Sequence, residues 1–430
     1  MVAAPGTDKL TRYIYYGILV VVYCHIISLI LGQYYLRSTV DVTENGWYGK
    51  MSFLSCVLLM PISVYCFFKY HKHFPVFINI CYGLILVLIF IASINDLSLF
   101  SSTPTVFFSP KGLGTWINFG LLYFVVEEEY TSKILKVFKN TCFVLVVFNT
   151  IQIAMAGSIS NRDIALDAVR DTTVVLLWVY PFFFLDNDDK TNIAKLTKYG
   201  MILMITFFAF AIASRSYLLT MGIFIFIKLR RDLREGQSTF ILFCMIMMCV
   251  MAGYYIVVNI DKFDTLKDLS SVFTGRMGED SRSSQLNEFI DQFKMDKLFT
   301  GVGPTGTWNW SGNSTGPYQW LDNQFLLVTW WFGLQTCIVY FLFLIYSMFK
   351  SNPMRLLKVT NSKILIFFWA LACAGFGIYI SVSSSLYYYF ITLLVGIVTL
   401  NVRRVIVYQK QIEDQLVLKD ELMLSVPASN

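Results

Sequence analysis

Three arginines carry the most specific chemistry in this sequence. Arg215 lies in "FAFAIASRSYLLTMGIFIF", between two apolar runs with no other charge nearby. A charge so placed is costly in an apolar environment and by default marks a site facing a polar cavity; the alternative is a helix-end arginine snorkelling to lipid headgroups. Arg282 opens "SRSSQLNEFIDQF", where the free N–H groups and dipole of a helix start already favour an anion. Arg276 lies six residues earlier. Guanidinium forks match phosphate oxygens bidentately, so three of them suit a polyanionic ligand. A lipid-linked phosphate or pyrophosphate fits apolar surroundings. Its expulsion as a leaving group requires donors aimed at the negative charge that develops on it, which positioned arginines supply.

A second group of residues follows in "WLDNQFLLVTWWFGL". Asp322 could accept a proton from an attacking hydroxyl, or it could cap a helix beginning near Gln324, which aspartate does well. Asn323 beside it is a candidate ligand to substrate. Trp308, Trp310, Tyr318 and Trp320 are apt for stacking on sugar rings and equally apt for a membrane-interface aromatic belt.

Other motifs lead elsewhere. "GVGPTG" at 301–306 spells G-x-G-x-x-G, but the strand–turn–helix context of a dinucleotide site is missing. "DNDD" at 186–189 resembles the D-x-D of metal-dependent sugar transferases, yet it sits in a short basic connection and reads as a solvated charge run. Glu127–Glu129 read likewise. His25 lies in the first apolar run, and His71 and His73 in a basic turn. No ligand-spaced cluster of His, Cys or carboxylates is evident, so neither a metal nor another cofactor is expected. The nine cysteines fall inside apolar runs and read as small buried hydrophobes. The sequon Asn313–Thr315 has meaning only in a host that glycosylates it.

The elements that must position these residues are membrane helices. Of 430 residues, 56% are hydrophobic and 14% charged, against about a quarter charged in a soluble protein. The expected class is an all-α polytopic membrane protein with about twelve spans. They fall near 13–33, 51–68, 76–94, 113–126, 137–156, 173–185, 199–214, 216–228, 239–260, 324–348, 364–381 and 386–402. With both termini cytoplasmic, 22 of the 34 basic residues lie on the inner side. Six of the rest belong to one long loop that the positive-inside rule discounts. The net charge of +6 therefore follows topology and does not signal nucleic acid. No small-residue cleavage site follows the first run, which reads as a span. The organisation expected is a bundle over 1–260, an extracytoplasmic loop over 261–323, a second bundle over 324–402 and a cytoplasmic tail over 403–430. Within the loop, Leu286, Phe289, Ile290 and Phe293 recur at helical spacing, which predicts an amphipathic helix over about 283–297 lying on the membrane or capping the bundle.

Together, an S-R dipeptide between two central spans, a long outer loop with "SRSSQLNEF…LFTGVGP" and a following "LDNQFL…WFGL" resemble the bacterial O-antigen polymerase family. That family lies within a wider superfamily of surface-polysaccharide polymerases and ligases. The resemblance covers mainly residues 210–335. It implies a bundle like those of the GT-C glycosyltransferases in the bacterial inner membrane. It implies that a glycan on undecaprenyl pyrophosphate is transferred to the terminal sugar of another lipid-linked repeat unit, without nucleotide or metal. The active site would face the periplasm or exterior, with a chain-length regulator as a possible partner. Arg215 matches the arginine of the family's S-R turn and Arg282 the arginine opening the loop helix, 19 residues before Gly301. The loop would act as a partly mobile lid. Ligases of the superfamily show His-Asn where Asp322–Asn323 stands, which disfavours a ligase. A flippase of lipid-linked oligosaccharides is the rival of a different class, and it would be expected to show internal repeats and broken helices.

Overall fold

The computed structural model describes residues 9–31, 47–97, 112–156, 162–185, 191–211, 215–234, 281–293, 295–312, 317, 321, 323–349 and 386–400. The expected spans at 239–260 and 364–381 and the tail lie outside them, as do the acidic run at 186–189 and the sequon.

The regular elements among the described residues are all helices, with no strand among them. In order, the helices are α1 Lys9–Leu31, α2 Trp47–Tyr70, α3 Val76–Leu97, α4 Leu113–Asn118, α5 Glu128–Ala156, α6 Arg162–Phe184, α7 Asn192–Ala211, α8 Arg215–Arg234, α9 Ser281–Gln292, α10 Gln324–Phe332, α11 Leu334–Phe349 and α12 Leu386–Thr399. Three contain stretches long and apolar enough to cross a membrane: Lys9–Ile30, Val76–Ile94 and Glu128–Ala154.

Helix α3 shows why these are membrane helices. Its inward face carries Ile78, Tyr82, Ile85, Ile89 and Ala92, all buried. Its outward face carries Val76, Ile80, Leu84, Val87, Ile91 and Ile94, all exposed. A helix apolar on both faces needs an apolar solvent on the outer one. On α5, exposed Val144, Val147 and Ile151 repeat the pattern.

Side-chain bonds align the helices at one end, which is rich in lysine and arginine and is called here the basic end. Lys69 Nζ donates to Thr11 Oγ1 at 2.8 Å, joining the end of α2 to the start of α1. The Tyr15 and Tyr130 rings, 4.6 Å apart, set the starts of α1 and α5 side by side. Phe184 packs edge-on to Tyr199, joining α6 to α7.

Two expected spans are interrupted. The run at 113–126 is the six-residue α4 continued by a 3-10 helix, Phe119–Val126. At about 1.5 Å and 2.0 Å per residue, it spans roughly 25 Å. All eight residues of the 3-10 stretch are buried, so this segment fills the middle of the bundle. Carbonyls freed where the helix changes type are met from neighbouring helices: Tyr82 donates to Ile117 O at 2.8 Å and Ser63 to Asn118 O at 3.4 Å. The run at 324–348 breaks at Gly333 into α10 and α11. The two interrupted segments touch: Trp116 stands edge-on to Phe332 and Tyr340, and Phe119 to Phe343.

Candidate functional site

The polar segment before α10 is docked into the bundle. Helix α9 buries Phe289, 1% exposed, among Phe293, Trp308 and Trp330 at centroid distances of 5.3–5.7 Å. Ile290, expected on the buried stripe, is 55% exposed, whereas Gln285 is buried. The inward stripe is thus Gln285–Phe289–Phe293, rotated from the one hydrophobicity alone selects, and the helix ends at Gln292 rather than near 297. The rotation is held by polar side chains. Glu288 accepts from Ser311 N at 2.8 Å and from its hydroxyl at 2.5 Å. The Gln292 amide both accepts from Asn309 N (2.9 Å) and donates to Asn309 O (2.6 Å).

The glycine turn that follows is pinned against the α10–α11 break. Val302 N donates to Trp330 O at 2.8 Å, Gly303 N to Trp331 O at 2.9 Å, and Leu334 N to Leu298 O at 2.8 Å. Gly301 and Gly333 have φ of 72° and 87°, conformations open to glycine. Each is also crossed by the other strand: a Cβ on Gly301 would land on the Trp331 carbonyl, and one on Gly333 on the Phe299 carbonyl. Where the resemblance implied a mobile lid, residues 298–303 are stitched by backbone to 330–334.

The depth of this contact follows from helix register. Phe77 at the basic end of α3 packs on Tyr346 of α11, 4.8 Å between centroids. Leu334 lies twelve residues before Tyr346 in sequence, so it is level with Ile89. At about 1.5 Å per residue, that is roughly 8 Å inside the far end of the candidate span Val76–Ile94. Non-helical backbone at such depth is tolerated where protein covers it, and Gly301, Gly303, Pro304 and Gly306 are all buried.

The expected site residues separate into three groups. Arg215 is the first residue of α8 and Arg282 the second of α9, so each lies in the opening turn of a helix. Arg215 also lies at the end of α8 opposite Lys228 and Arg230. Asn323 and Trp308 have structural partners. Asn323 Oδ1 accepts from Phe325 N (3.0 Å) and Leu326 N (3.2 Å), capping α10 in the role considered for Asp322. Trp308 is 3% exposed against Phe289, so a sugar could not stack on its buried ring in this conformation. Arg276, Asp322, Tyr318 and Trp320 lie outside the described residues.

Two buried polar groups have no role assigned from the sequence. His25 Nε2 and the Tyr389 hydroxyl are 3.2 Å apart inside the bundle, bridging α1 and α12. Asn149, on α5, bonds Thr172 and Thr173 on α6. Their signal was an isolated polar residue in an otherwise apolar helix, which hydropathy averaging hides. Among the described residues no three His, Cys, Asp or Glu side chains gather where a metal ion could sit. Cys24, Cys66, Cys81, Cys142 and Cys337 are free, and Cys66, Cys81 and Cys142 are buried.

No protein-family model, curated protein or solved structure matches the chain.

Proposed function

We propose that the chain is a polymerase of lipid-linked surface-polysaccharide repeat units at the outer face of a bacterial inner membrane, with both termini cytoplasmic. The observation that carries this reading is the placement of Arg215 and Arg282, each in the opening turn of its own helix. A guanidinium combined with a helix N-terminus is a strong site for phosphate oxygens, and two such sites suit a pyrophosphate. The "S-R" turn and "SRSSQLNEF…LFTGVGP" pattern supports the same family.

On this reading, Arg215 and Arg282, with Arg276, hold the pyrophosphate of a donor on undecaprenyl pyrophosphate. The terminal hydroxyl of a second lipid-linked unit attacks the donor's anomeric carbon, a new C–O bond forms, and the bond to the pyrophosphate breaks. Polyprenyl pyrophosphate leaves with the electron pair, stabilised by the arginines. The hydroxyl proton passes to Asp322 or to the departing pyrophosphate. Trp310, Tyr318 and Trp320 are left as the aromatic residues for sugar stacking, and a chain-length regulator is a possible protein partner.

The test is a gel of products made by purified protein from its host's lipid-pyrophosphate-linked repeat unit, without nucleotide or added metal. The reading expects a ladder in wild type that Arg215→Ala and Arg282→Ala abolish. It fails if folded wild type makes no ladder.

A flippase for the same lipid is the second reading, favoured by one specific observation. The interrupted segments at 113–126 and 324–349 pack against each other, and transporters build substrate sites from paired broken helices. Protein-dependent movement of the lipid across liposomes, with no ladder, would select it.

A further inference from the structure

The α5–α6 contact ends in a polar ladder with one rung unfilled. Asn149, 0% exposed, accepts a hydrogen bond from Thr172 Oγ1 at 2.6 Å and donates to Thr173 Oγ1 at 3.3 Å. Gln152, one turn further from the basic end and on the same face, is 3% exposed, yet its Oε1 accepts no hydrogen bond from the described residues. An unpaired amide in such surroundings is costly, and buried polar groups without a partner call for an explanation.

Two explanations fail. Helix–helix adhesion is already supplied by Asn149 with both threonines. Nor is Gln152 trapped far from water. It lies two residues from the end of the candidate span Glu128–Ala154, about 3 Å along the axis, and a side chain of its length could turn outward. On the polymerase reading its depth is that of the first sugar of a membrane-anchored lipid pyrophosphate, and the amide, 3% exposed in this conformation, meets that sugar by turning toward it. A carboxamide presents an acceptor and two donors in one plane, which suits neighbouring sugar hydroxyls. Being neutral, it leaves the pyrophosphate to the arginines.

We propose that Gln152, backed by Asn149, Thr172 and Thr173, is a hydrogen-bonding subsite for a sugar of the lipid-linked glycan. The inference rests on the polymerase reading for its substrate, and it adds a recognition site on helices remote in sequence from the arginines. The sugar could belong to donor or acceptor, and the shared chemistry is its hydroxyls.

The experiment compares purified full-length wild type with Gln152→Leu and the more nearly isosteric Gln152→Met. Polymerisation is followed against lipid-linked repeat unit. Two probes then compete: the free repeat-unit oligosaccharide, an acceptor mimic, and undecaprenyl pyrophosphate carrying the first sugar alone, a donor mimic. Saturation-transfer NMR measures binding of the free oligosaccharide without catalysis. The subsite predicts a KM raised at least ten-fold with kcat within two-fold in both variants. Inhibition by one probe is lost, and that probe identifies the source. Unchanged KM and unchanged inhibition by both probes in either folded variant overturn the proposal, and a raised Tm alongside would show that the amide is only a packing liability. If wild type makes no polymer but binds the oligosaccharide through Gln152, the polymerase reading falls and the subsite stands. If it neither polymerises nor binds, both fall.

Discussion

Gly333→Ala tests whether the long polar segment is docked or free. Gly333 has φ 87° and ψ 160°, a region essentially restricted to glycine. Holding alanine there costs about 2 kcal/mol. The added Cβ meets the Phe299 carbonyl, which is backbone and cannot rotate aside. Relieving the clash means parting 298–303 from 330–334 and giving up three hydrogen bonds of 2.8–2.9 Å. At about 1 kcal/mol each, the docked state loses roughly 5 kcal/mol with the strain included. The bundle packs through other surfaces, so the expected response is local undocking rather than global unfolding. Limited trypsin digestion of the solubilised protein reads this directly, because Lys297 lies in the docked turn and accepts a bond from Gly301 N. Cutting after Lys297 is expected to quicken at least ten-fold in Gly333→Ala and similarly in Gly301→Ala. The double variant should add little, since both changes break one contact. Gly200→Ala, helical and with open space at its Cβ, serves as the control and should stabilise by about 0.5–1 kcal/mol. Equal cutting rates in wild type and Gly333→Ala would refute the docked segment.

Two further outcomes follow from the polar contacts. Asn323→Ala should destabilise by about 1 kcal/mol through loss of the α10 cap, and Asn323→Asp or Ser should restore stability. If ladder formation is also restored by the cap-competent variants, the residue acts by capping; if activity stays lost, Asn323 touches substrate. For the buried pair, a double-mutant cycle of His25→Phe and Tyr389→Phe by thermal melting should give a coupling of about 1 kcal/mol. Zero coupling would mean that the 3.2 Å contact holds nothing.

Much of the helical class could be read from the sequence, because α1, α3 and α5 are uninterrupted apolar runs that only lipid can solvate on their outer faces. The breaks could not. "LGTWINFGLLYFVV" is as apolar as a span, and hydropathy does not distinguish an α-helix from the 3-10 turn at Phe119–Val126. Gly333 likewise sits in a run that reads as one helix, and its positive φ comes from the strand of backbone laid across it. The face of α9 was misjudged because hydrophobicity favoured Leu286 and Ile290. Glu288 and Gln292 find partners at 309–311, and satisfying them rotates Gln285 inward. At the candidate site, the capping role was legible in "LDNQF" but belongs to Asn323 instead of Asp322. The arginines draw attention in the sequence because charge in an apolar chain is conspicuous; Gln152 does not, because one neutral amide in a span is not.

The central claim is a group transfer with a lipid pyrophosphate as leaving group, and counting that leaving group tests it most directly. Purified protein would be given the lipid-linked repeat unit, and released polyprenyl pyrophosphate would be measured against glycosidic bonds formed. The account predicts one polyprenyl pyrophosphate for each new linkage in wild type, and neither product from Arg215→Ala or Arg282→Ala. Lipid-linked glycan consumed or relocated with no polyprenyl pyrophosphate released would contradict it.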